Sequence, residues 1–533
     1  MTTIPIKANG REIQAEAGAP LLQVLLDNGI FVPHYCYHPA LTVAGNCRMC
    51  LVKIAGRPKL ETSCTVRVTA PLEVETEAPE VVKARKDILE FLLINHPLDC
   101  PVCDQAGECL LQDFSYTHGS DRSRFTEPKV IRGSRPLGPL VHYWGNRCIV
   151  CTRCVRFCDE ITGTGEMAVT GRSDRSEIDV FPGRPLDNPL SGNVVDICPV
   201  GALLSRDFLY QARVWFLRST ATICPGCSRG CNVHVDALRN AVKRLRPRLN
   251  RAVNGWWMCD AGRLGYKALS SPARLVAHRV EGAEGPFSLA RATGDAMDRL
   301  EAARRRLGPS AMAGVASAFA TNEELYLFRR LCDRLGIPVL ACRTRREGED
   351  RRFPGGFRID AEQAPNRRGA ERLLGAETVA TGMERLVAAA QTGGIRALVV
   401  LGGDPRGAVP EPLAAVLDRL EVPLAIDTHD GLLVRRAGVA LAAAAWAEAD
   451  GTMVSSGDRV QRLRRAIDPP GEAVAGTVLL QELLVGGGER REILSTEGVF
   501  REMASASVAF GDLTWSAIGS LGAPMGVAGD AVR

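Results

Sequence analysis

The sequence predicts an α+β first half built from small cysteine-rich domains, followed by a larger α/β domain. Three observations lead to this prediction. Sixteen of the 18 cysteines lie at or before Cys259. A hairpin signal, Asn9-Gly10, lies between two strand-like segments near the start of the chain. After about residue 275, strand-like and helix-like segments alternate, which favours a parallel sheet covered by helices.

Composition and charge narrow the class of protein. The chain has 533 residues with 46% apolar and 24% charged side chains, as in soluble globular proteins of several domains. The formal net charge of +5 indicates neither nucleic acid nor an anionic membrane as a partner. No secretory signal opens the sequence, and no apolar run approaches the roughly 20 residues that span a bilayer. We therefore expect a protein that is cytosolic, or soluble on the face of a membrane complex. In such a reducing compartment, clustered cysteines indicate metal binding before disulfides.

The first-half elements are predicted in order along the chain. A helix from Pro20 to Leu26 follows the hairpin, and an amphipathic helix from Pro79 to Asn95 leads into a cysteine cluster. A polar connector, 119–139, separates that cluster from the next one. The predicted domains of the whole chain are 1–78, 79–118, 140–215, 217–273 and 274–533.

In the second half, two short apolar segments are predicted to be buried strands, at 311–318 and 397–401. Each is followed by a predicted helix, Glu323 to Leu335 and Glu411 to Leu420. This alternation is the basis for the parallel sheet.

Four cysteines in the first domain have the spacing C-x10-C-x2-C-x13-C. One close pair on a tight loop, flanked by two distant cysteines, can present four thiolates to a 2Fe-2S cluster. A structural zinc ion is the alternative, but zinc sites normally combine two close pairs. The predicted ligands of this site, site 1, are Cys36, Cys47, Cys50 and Cys64.

The second group has the pattern H-x3-C-x2-C-x5-C. A lone histidine after a helix is usually an ordinary polar side chain. Here three cysteines leave one ligand position open, and imidazole can replace a thiolate at iron. We predict a 4Fe-4S cluster at this site, site 2, with the ligands His96, Cys100, Cys103 and Cys109.

The third group begins with C-x2-C-x2-C-x3-C, the run found in bacterial ferredoxins. In that run the fourth cysteine serves another cluster, and a distant Cys-Pro completes the first one. Cys158 is the fourth cysteine here, and because no second cluster motif follows, we predict that it is a free buried thiol. Site 3 is therefore a predicted 4Fe-4S site with the ligands Cys148, Cys151, Cys154 and Cys198.

A fourth group has the spacing C-x2-C-x3-C-x27-C. Without Cys158, the first half provides fifteen cysteines and His96, which divide evenly into four sites of four ligands. This count favours one 2Fe-2S and three 4Fe-4S clusters over four zinc ribbons. The predicted ligands of the last 4Fe-4S site, site 4, are Cys224, Cys227, Cys231 and Cys259.

Two other motifs receive no predicted function. The stretch Gly163–Ala168 matches a dinucleotide fingerprint, but it lies among cluster ligands rather than after a strand in a βαβ unit. The arginine-rich run from Arg343 to Arg352 is typical of a solvated loop.

The motifs around these cysteines resemble the large iron-sulfur subunits of respiratory NADH-quinone oxidoreductase, complex I. The resemblance covers residues 1 to about 270 and implies a β-grasp ferredoxin-like domain, a 4Fe-4S domain with one histidine and three cysteine ligands, and a 4Fe-4S ferredoxin-like domain. It also implies a 4Fe-4S domain of the molybdopterin oxidoreductase type at site 4. The matching stretches are Cys36–Pro39, Gly45–Val52, His96–Asp104, Arg147–Cys158 and Gly192–Leu203.

The second half resembles the molybdopterin oxidoreductase superfamily in the segment Glu448–Gln461. Because the sequence stops about seventy residues later, we expect a truncated α/β domain of that type. The only cysteines in this half, Cys332 and Cys342, lack the metal-ligand motif of formate dehydrogenases. No molybdenum cofactor is therefore expected.

The resemblance implies an electron-relay subunit that has no complete active site of its own and in which site 4 lies off the main electron path. The implied partners are an NADH-binding flavoprotein subunit and the further iron-sulfur and quinone-site subunits of complex I. They would hold the chain in a peripheral arm on the cytoplasmic face of the inner membrane. The alternative is an iron-sulfur or catalytic subunit of an NAD-linked formate dehydrogenase or a soluble hydrogenase.

Overall fold

The computed structural model describes residues 3–407, 409–488, 492–511 and 513–526. The chain divides into two units, Met1–Leu217 with Phe353–Phe357, and Arg218–Arg352 with Arg358–Arg533. The strands of the first unit are β1 (Thr3–Ala8), β2 (Arg11–Glu16), β3 (Leu51–Ile54), β4 (Glu61–Thr62), β5 (Leu72–Glu75), β6 (Ser134–Pro136), β7 (Val141–Trp144), β8 (Met167–Thr170), β9 (Glu177–Val180) and β10 (Leu203–Ser205). Its helices are α1 (Leu21–Asp27), α2 (Pro79–Leu93), α3 (Leu110–His118), α4 (Arg153–Arg156) and α5 (Asn193–Ile197).

The first unit opens with a five-stranded sheet in the order β2-β1-β5-β3-β4. Asn9 and Gly10 have φ angles of 49° and 80°, and this left-handed pair makes the predicted tight turn between the antiparallel strands β1 and β2. The predicted helix after the hairpin is α1, which buries Leu21 and Leu25 in the core under the sheet. Site 1 lies at one end of this domain, in the loop between α1 and β3 and just after β4.

The elements that carry sites 2 and 3 are short and are joined by long loops. The predicted amphipathic helix is confirmed as α2, with Pro79 at its first position, where a missing N–H costs nothing. A three-stranded sheet, β10-β7-β6, and a hairpin, β8-β9, follow. Helix α4 continues into a π-helical segment, Phe157–Thr162. Such π-helical turns frequently occur at functional sites.

The strands of the second unit are β11 (Arg218–Ile223), β12 (Asn232–Leu238), β13 (Ala241–Pro247), β14 (Arg279–Val280), β15 (Met312–Ser317), β16 (Val339–Arg343), β17 (Arg351–Arg352), β18 (Arg358–Ile359), β19 (Ala397–Leu401), β20 (Glu421–Asp427), β21 (Ala437–Ala442), β22 (Gly451–Val454), β23 (Arg459–Leu463) and β24 (Ala523–Pro524). Its helices are α6 (Asp260–Leu264), α7 (Leu289–Leu307), α8 (Asn322–Leu335), α9 (Arg367–Leu374), α10 (Ala376–Ala380), α11 (Gly382–Gln391), α12 (Glu411–Ala414), α13 (Leu432–Arg435), α14 (Gly476–Gly486), α15 (Thr496–Ala506) and α16 (Trp515–Ile518).

A six-stranded sheet in the order β14-β21-β20-β19-β15-β16 forms the centre of the second unit. All neighbours from β21 to β16 are parallel, and only β14 pairs antiparallel at the edge. The predicted alternation of strands and helices is thereby confirmed. A separate antiparallel sheet, β11-β12-β13, carries site 4.

The predicted helix from Glu411 to Leu420 is wrong in its length. The structure has the short helix α12 and then a 3-10 turn, Leu417–Arg419. The apolar spacing still holds, because Leu413 and Leu417 are both buried against the sheet. Since β20 begins directly afterwards, the chain tightens into 3-10 geometry, as helix ends often do.

Among the described residues, no helix is both long enough and apolar enough to cross a membrane.

Candidate iron-sulfur centres

The four thiols of site 1 lie side by side. The Cys36 thiol is in hydrogen-bond contact with those of Cys47 and Cys64, and Cys64 also contacts Cys50. The Cys36 backbone N–H donates to Cys47 Sγ over 3.4 Å. Contact with neighbouring thiols lowers the pKa of Cys36 and Cys50 and raises the pKa of Cys47 and Cys64. Four thiols this close can all be thiolates only if a cation such as iron lies among them.

The four predicted ligands of site 2 line one pocket. Burial, followed by the charges of Arg147 and Lys129, lowers the pKa of His96 to about 4. The imidazole is therefore neutral near pH 7, which is the form that binds a metal. Gly201 also lines this pocket, and a Cβ on Gly201 would lie only 2.3 Å from Cys103 Sγ. Only glycine lets that thiol approach the backbone so closely.

The four predicted ligands of site 3 also line a common pocket. Burial raises the pKa of Cys148, Cys151 and Cys198 to about 11. The Tyr143 hydroxyl contacts the Cys148 thiol and favours its thiolate. In such a dry pocket, thiolates require a compensating positive charge, and iron would supply it.

Cys158 is set apart from the ligands of site 3. It lies in the π-helical segment after α4, is 0% exposed, and does not line the site 3 pocket. Burial raises the pKa of its thiol, and the carboxyl groups of Glu166 and Asp159 raise it further. This placement is consistent with the predicted free thiol.

Site 4 lies between β11 and β12 and at the start of α6. The Cys224 N–H donates to the Cys231 carbonyl over 2.8 Å, and Cys259 Sγ accepts from the Gly262 N–H over 3.3 Å. A Cβ on Gly262 would lie 3.0 Å from Cys224 Sγ and 3.3 Å from Cys259 Sγ. Thiols from both ends of the motif therefore converge on one glycine. Burial raises the pKa of Cys227, and the nearby thiols of Cys259 and Cys224 raise it further.

The separation of the ligand side chains and one unpaired hydroxyl also fit iron-sulfur clusters. In the described part of the chain, no three His, Cys, Asp or Glu side chains surround one point closely enough to hold a single metal ion. In a 4Fe-4S cluster each ligand binds a different iron, and in a 2Fe-2S cluster each iron takes two of the four ligands, so the ligands of a cluster do not all converge on one point. The Tyr35 hydroxyl is buried with no hydrogen-bond partner among the described residues. Burial raises its pKa, and the nearby thiols of Cys109 and Cys47 raise it further. A cluster sulfur would provide such a hydroxyl with an acceptor.

Arginines link the ligand loop of site 3 to both neighbouring sites. Arg156 donates to the carbonyls of Cys36 and Cys151. Arg147, which directly precedes the first ligand of site 3, lines the site 2 pocket and donates to Asp99 Oδ2 over 2.8 and 3.0 Å. Spacing analysis missed these residues. The available signal was an arginine next to a ligand cysteine in the sequence.

The second unit contains a cavity of about 250 Å³ that sequence reasoning did not find. It lies at the carboxyl ends of β15, β19, β20 and β21, where Phe319, Gly402, Thr428 and Ala443 line it. Ligands of open α/β sheets bind at this edge. Cys332 and Cys342 do not line the cavity, although both are buried.

The structure shows that the glycine motif at Gly163–Ala168 lacks the geometry of a nucleotide-binding loop. At Gly163–Ala168, a π-helical segment ends just before the motif and strand β8 begins within it, at Met167. That is the reverse of the strand-to-helix order of a dinucleotide fingerprint.

The arginine-rich run was predicted to be a solvated loop. This prediction is wrong for Arg343, which ends β16 with 5% exposure beside Asp427. It is correct in exposure but not in structure for Arg351, which is exposed and lies in β17.

Replacing His96 with alanine is expected to remove the site 2 cluster, because one of its four ligands is lost. His96→Cys should rebuild the cluster at a lower reduction potential, since a thiolate adds negative charge that disfavours the reduced form. Iron analysis and EPR of the reduced full chain measure both effects. His118→Ala, which removes a partly buried histidine of α3, is the matched control. An unchanged spectrum in His96→Ala would contradict ligation by His96.

Family models match four consecutive stretches of the chain, each containing one of the four sites. A 2Fe-2S iron-sulfur cluster binding domain matches residues 1–79, and an NADH-ubiquinone oxidoreductase-G iron-sulfur binding region matches 85–124. The ferredoxin-like domain of NADH-quinone oxidoreductase subunit 3 matches 138–204, and the molybdopterin oxidoreductase Fe4S4 domain matches 217–271. The chain therefore contains 2Fe-2S and 4Fe-4S binding domains.

Curated relatives extend this likeness. The chain is 39% identical over 64% of its length to the mitochondrial NADH dehydrogenase [ubiquinone] iron-sulfur protein 1 of Solanum tuberosum, of which it covers 46%. It is 41% identical over 63% of its length to the mitochondrial NADH-ubiquinone oxidoreductase 78 kDa subunit of Neurospora crassa, of which it also covers 46%. The chain thus spans about half the length of these relatives.

One solved structure similar to the chain is an NAD+-reducing NiFe-hydrogenase in the H2-reduced state. The identity is 30%, and the match covers 40% of this chain and 91% of that one. Its TM-score of 0.37 is too low to support an argument about this chain.

Proposed function

We propose that this chain, which is homologous over 63% to 64% of its length to iron-sulfur subunits of NADH-quinone oxidoreductase, relays electrons in such a complex. A flavoprotein partner would oxidise NADH, which gives up two electrons, and deliver them singly to this chain. Further iron-sulfur and quinone-site partners would receive them. Bound clusters would supply the one-electron chemistry, one 2Fe-2S at site 1 and one 4Fe-4S at each of sites 2, 3 and 4.

The observation that carries this proposal is the direct contact between the ligand loops of three sites within the first unit. The site 3 loop touches site 1 through Arg156 and site 2 through Arg147. This arrangement supports a relay in which site 3 lies between sites 1 and 2. The residues of the chain hold the ligand loops together and bury most of the ligand thiols, although Cys100 is exposed. Site 4 lies in the second unit, and we assign it a structural role off the main path.

In this proposal the chain sits in a peripheral arm on the cytoplasmic face of the inner membrane, and only its partner subunits contact the membrane. The second half would be a molybdopterin oxidoreductase-like domain that holds no molybdenum. Cys332 and Cys342 support that view, because neither lines the cavity at the carboxyl edge of the sheet. A subunit of an NAD-linked hydrogenase or formate dehydrogenase is the alternative, and no contact described above favours it.

Cluster content tests this proposal. Anaerobically purified chain should contain about 14 iron atoms with matching acid-labile sulfide, from one 2Fe-2S and three 4Fe-4S clusters. EPR of the reduced chain should resolve the two cluster types. Cys342→Ala, a buried thiol outside all four sites, should leave the iron content unchanged. Zinc in place of iron at these sites would disprove the relay.

A further inference from the structure

Arg153 is a buried cation that lies between sites 1 and 3. It belongs to α4, among the ligands of site 3, and is 7% exposed. Its Nη1 donates to the Ile197 carbonyl over 3.1 Å, and its Nη2 donates to the Tyr37 carbonyl. Ile197 directly precedes the last ligand of site 3, and Tyr37 directly follows the first ligand of site 1. One guanidinium therefore spans the two ligand loops.

Arg153 has no carboxylate to balance its charge among the described residues. Both of its hydrogen-bond acceptors are neutral carbonyls, and its buried Nε has no hydrogen-bond partner there. The side chain also lines the site 3 pocket. The ionisable groups that act on it include the thiols of Cys151, Cys198 and Cys36 and a second cation, Arg156. The imidazoles of His34 and His38 also lie in its field, and neither is acidic.

A lone buried charge is strongly destabilising, and a guanidinium does not release its proton to avoid that cost. The opposite charge must therefore come from the ligands of sites 1 and 3, because these are the acidic groups that face Arg153. By contrast, Arg147 is equally buried and is paired with Asp99. Its charge is balanced within the protein.

Arg156 holds the two loops on either side of Arg153. Its Nη2 donates to the Cys36 carbonyl over 2.6 Å and to the Cys151 carbonyl over 3.3 Å. A single nitrogen thus joins one ligand residue of each site. This bridge keeps the separation between the loops constant, and Arg153 then experiences the charge of both sites.

We propose that Arg153 is the shared counter-charge of the clusters at sites 1 and 3 and raises the reduction potential of both. The inference rests on the proposed function, because it requires clusters at these two sites. A cluster with thiolate ligands carries net negative charge, and each electron that enters adds one more. A fixed positive charge in a low-dielectric setting therefore stabilises the reduced form more than the oxidised form. The effect is expected to be larger at site 3, because Arg153 lines the pocket of that site.

Redox titration of the full chain, followed by EPR, tests this role. Arg153→Gln removes the charge and keeps a side chain that can donate hydrogen bonds. It should shift the potentials of sites 1 and 3 to more negative values, with the larger shift at site 3. Arg153→Lys keeps the charge and should stay near the wild-type potentials. Arg48→Gln is the matched control, because Arg48 lies beside Cys47 but is exposed, and water and salt screen its charge.

Unchanged potentials in Arg153→Gln would overturn the inference, as would an equal shift in Arg48→Gln. A shift in Arg153→Lys as large as that in Arg153→Gln would assign the effect to shape rather than charge. If Arg153→Gln fails to bind iron, the iron content and reduction potentials of Arg153→Lys test the inference instead. Full iron and wild-type potentials in Arg153→Lys then support the counter-charge role, and loss of either overturns it. A wild-type chain without cluster signals would instead contradict the proposed function.

Discussion

Replacing Cys154 with alanine is expected to abolish the EPR signal of site 3 and to lower the iron content by about one 4Fe-4S cluster. The Cys154 thiol lines the same pocket as the other three predicted ligands. Its removal leaves only three thiolates, and the remaining buried thiols then have no cation to keep them ionised. Iron and sulfide assays on anaerobically purified variant, together with EPR, measure this loss.

Cys158→Ala is the matched control for that experiment, because it changes a buried cysteine four residues further along the same helical segment. It should keep full iron and alter only local packing, at a cost of about 1 kcal/mol in the free energy of unfolding. Denaturant unfolding followed beside the cluster spectrum separates the two effects. Equal iron loss in both variants would show that Cys158, and not Cys198, is the fourth ligand of site 3.

The isolated chain is expected to oxidise neither NADH nor formate with artificial acceptors, and it should contain no flavin, pterin or molybdenum. The dinucleotide-like stretch Gly163–Ala168 runs from a helical segment into a strand, so it cannot place a helix N-terminus against a pyrophosphate. Under the proposed function, electrons would therefore enter through a protein interface.

Adding the NADH-oxidising flavoprotein partner should change that result, because NADH would then reduce the clusters of this chain. EPR and optical bleaching before and after addition of the partner provide the measurement. Formate-dependent reduction of the isolated chain, or stoichiometric molybdenum in it, would favour the catalytic alternative.

Individual turns and helices could be predicted from the sequence where a few neighbouring residues determine the backbone conformation. The Asn9-Gly10 turn was predictable because few residue pairs adopt two successive left-handed conformations. The helix from Pro79 was predictable from its apolar spacing and from proline at its first position. The helix predicted to reach Leu420 was wrong because the following strand, and not helix propensity, determines how that segment ends.

The centre of each ligand set was predicted from spacing, because cysteines two or three residues apart on a loop present their sulfurs to one neighbourhood. His96 was added from the ligand count and Cys198 from the ferredoxin pattern. Their assignment as ligands stays a prediction that the variants above test. Spacing carries no information about which sets are neighbours, since that depends on how loops 48 to 120 residues apart fold together. Only the tertiary structure places the site 3 loop against the loops of sites 1 and 2, and buries Arg153 with no carboxylate partner in the described part of the chain. The physical reason is that burial and unpaired charge are properties of the folded chain, and the sequence shows only that an arginine stands beside a cysteine.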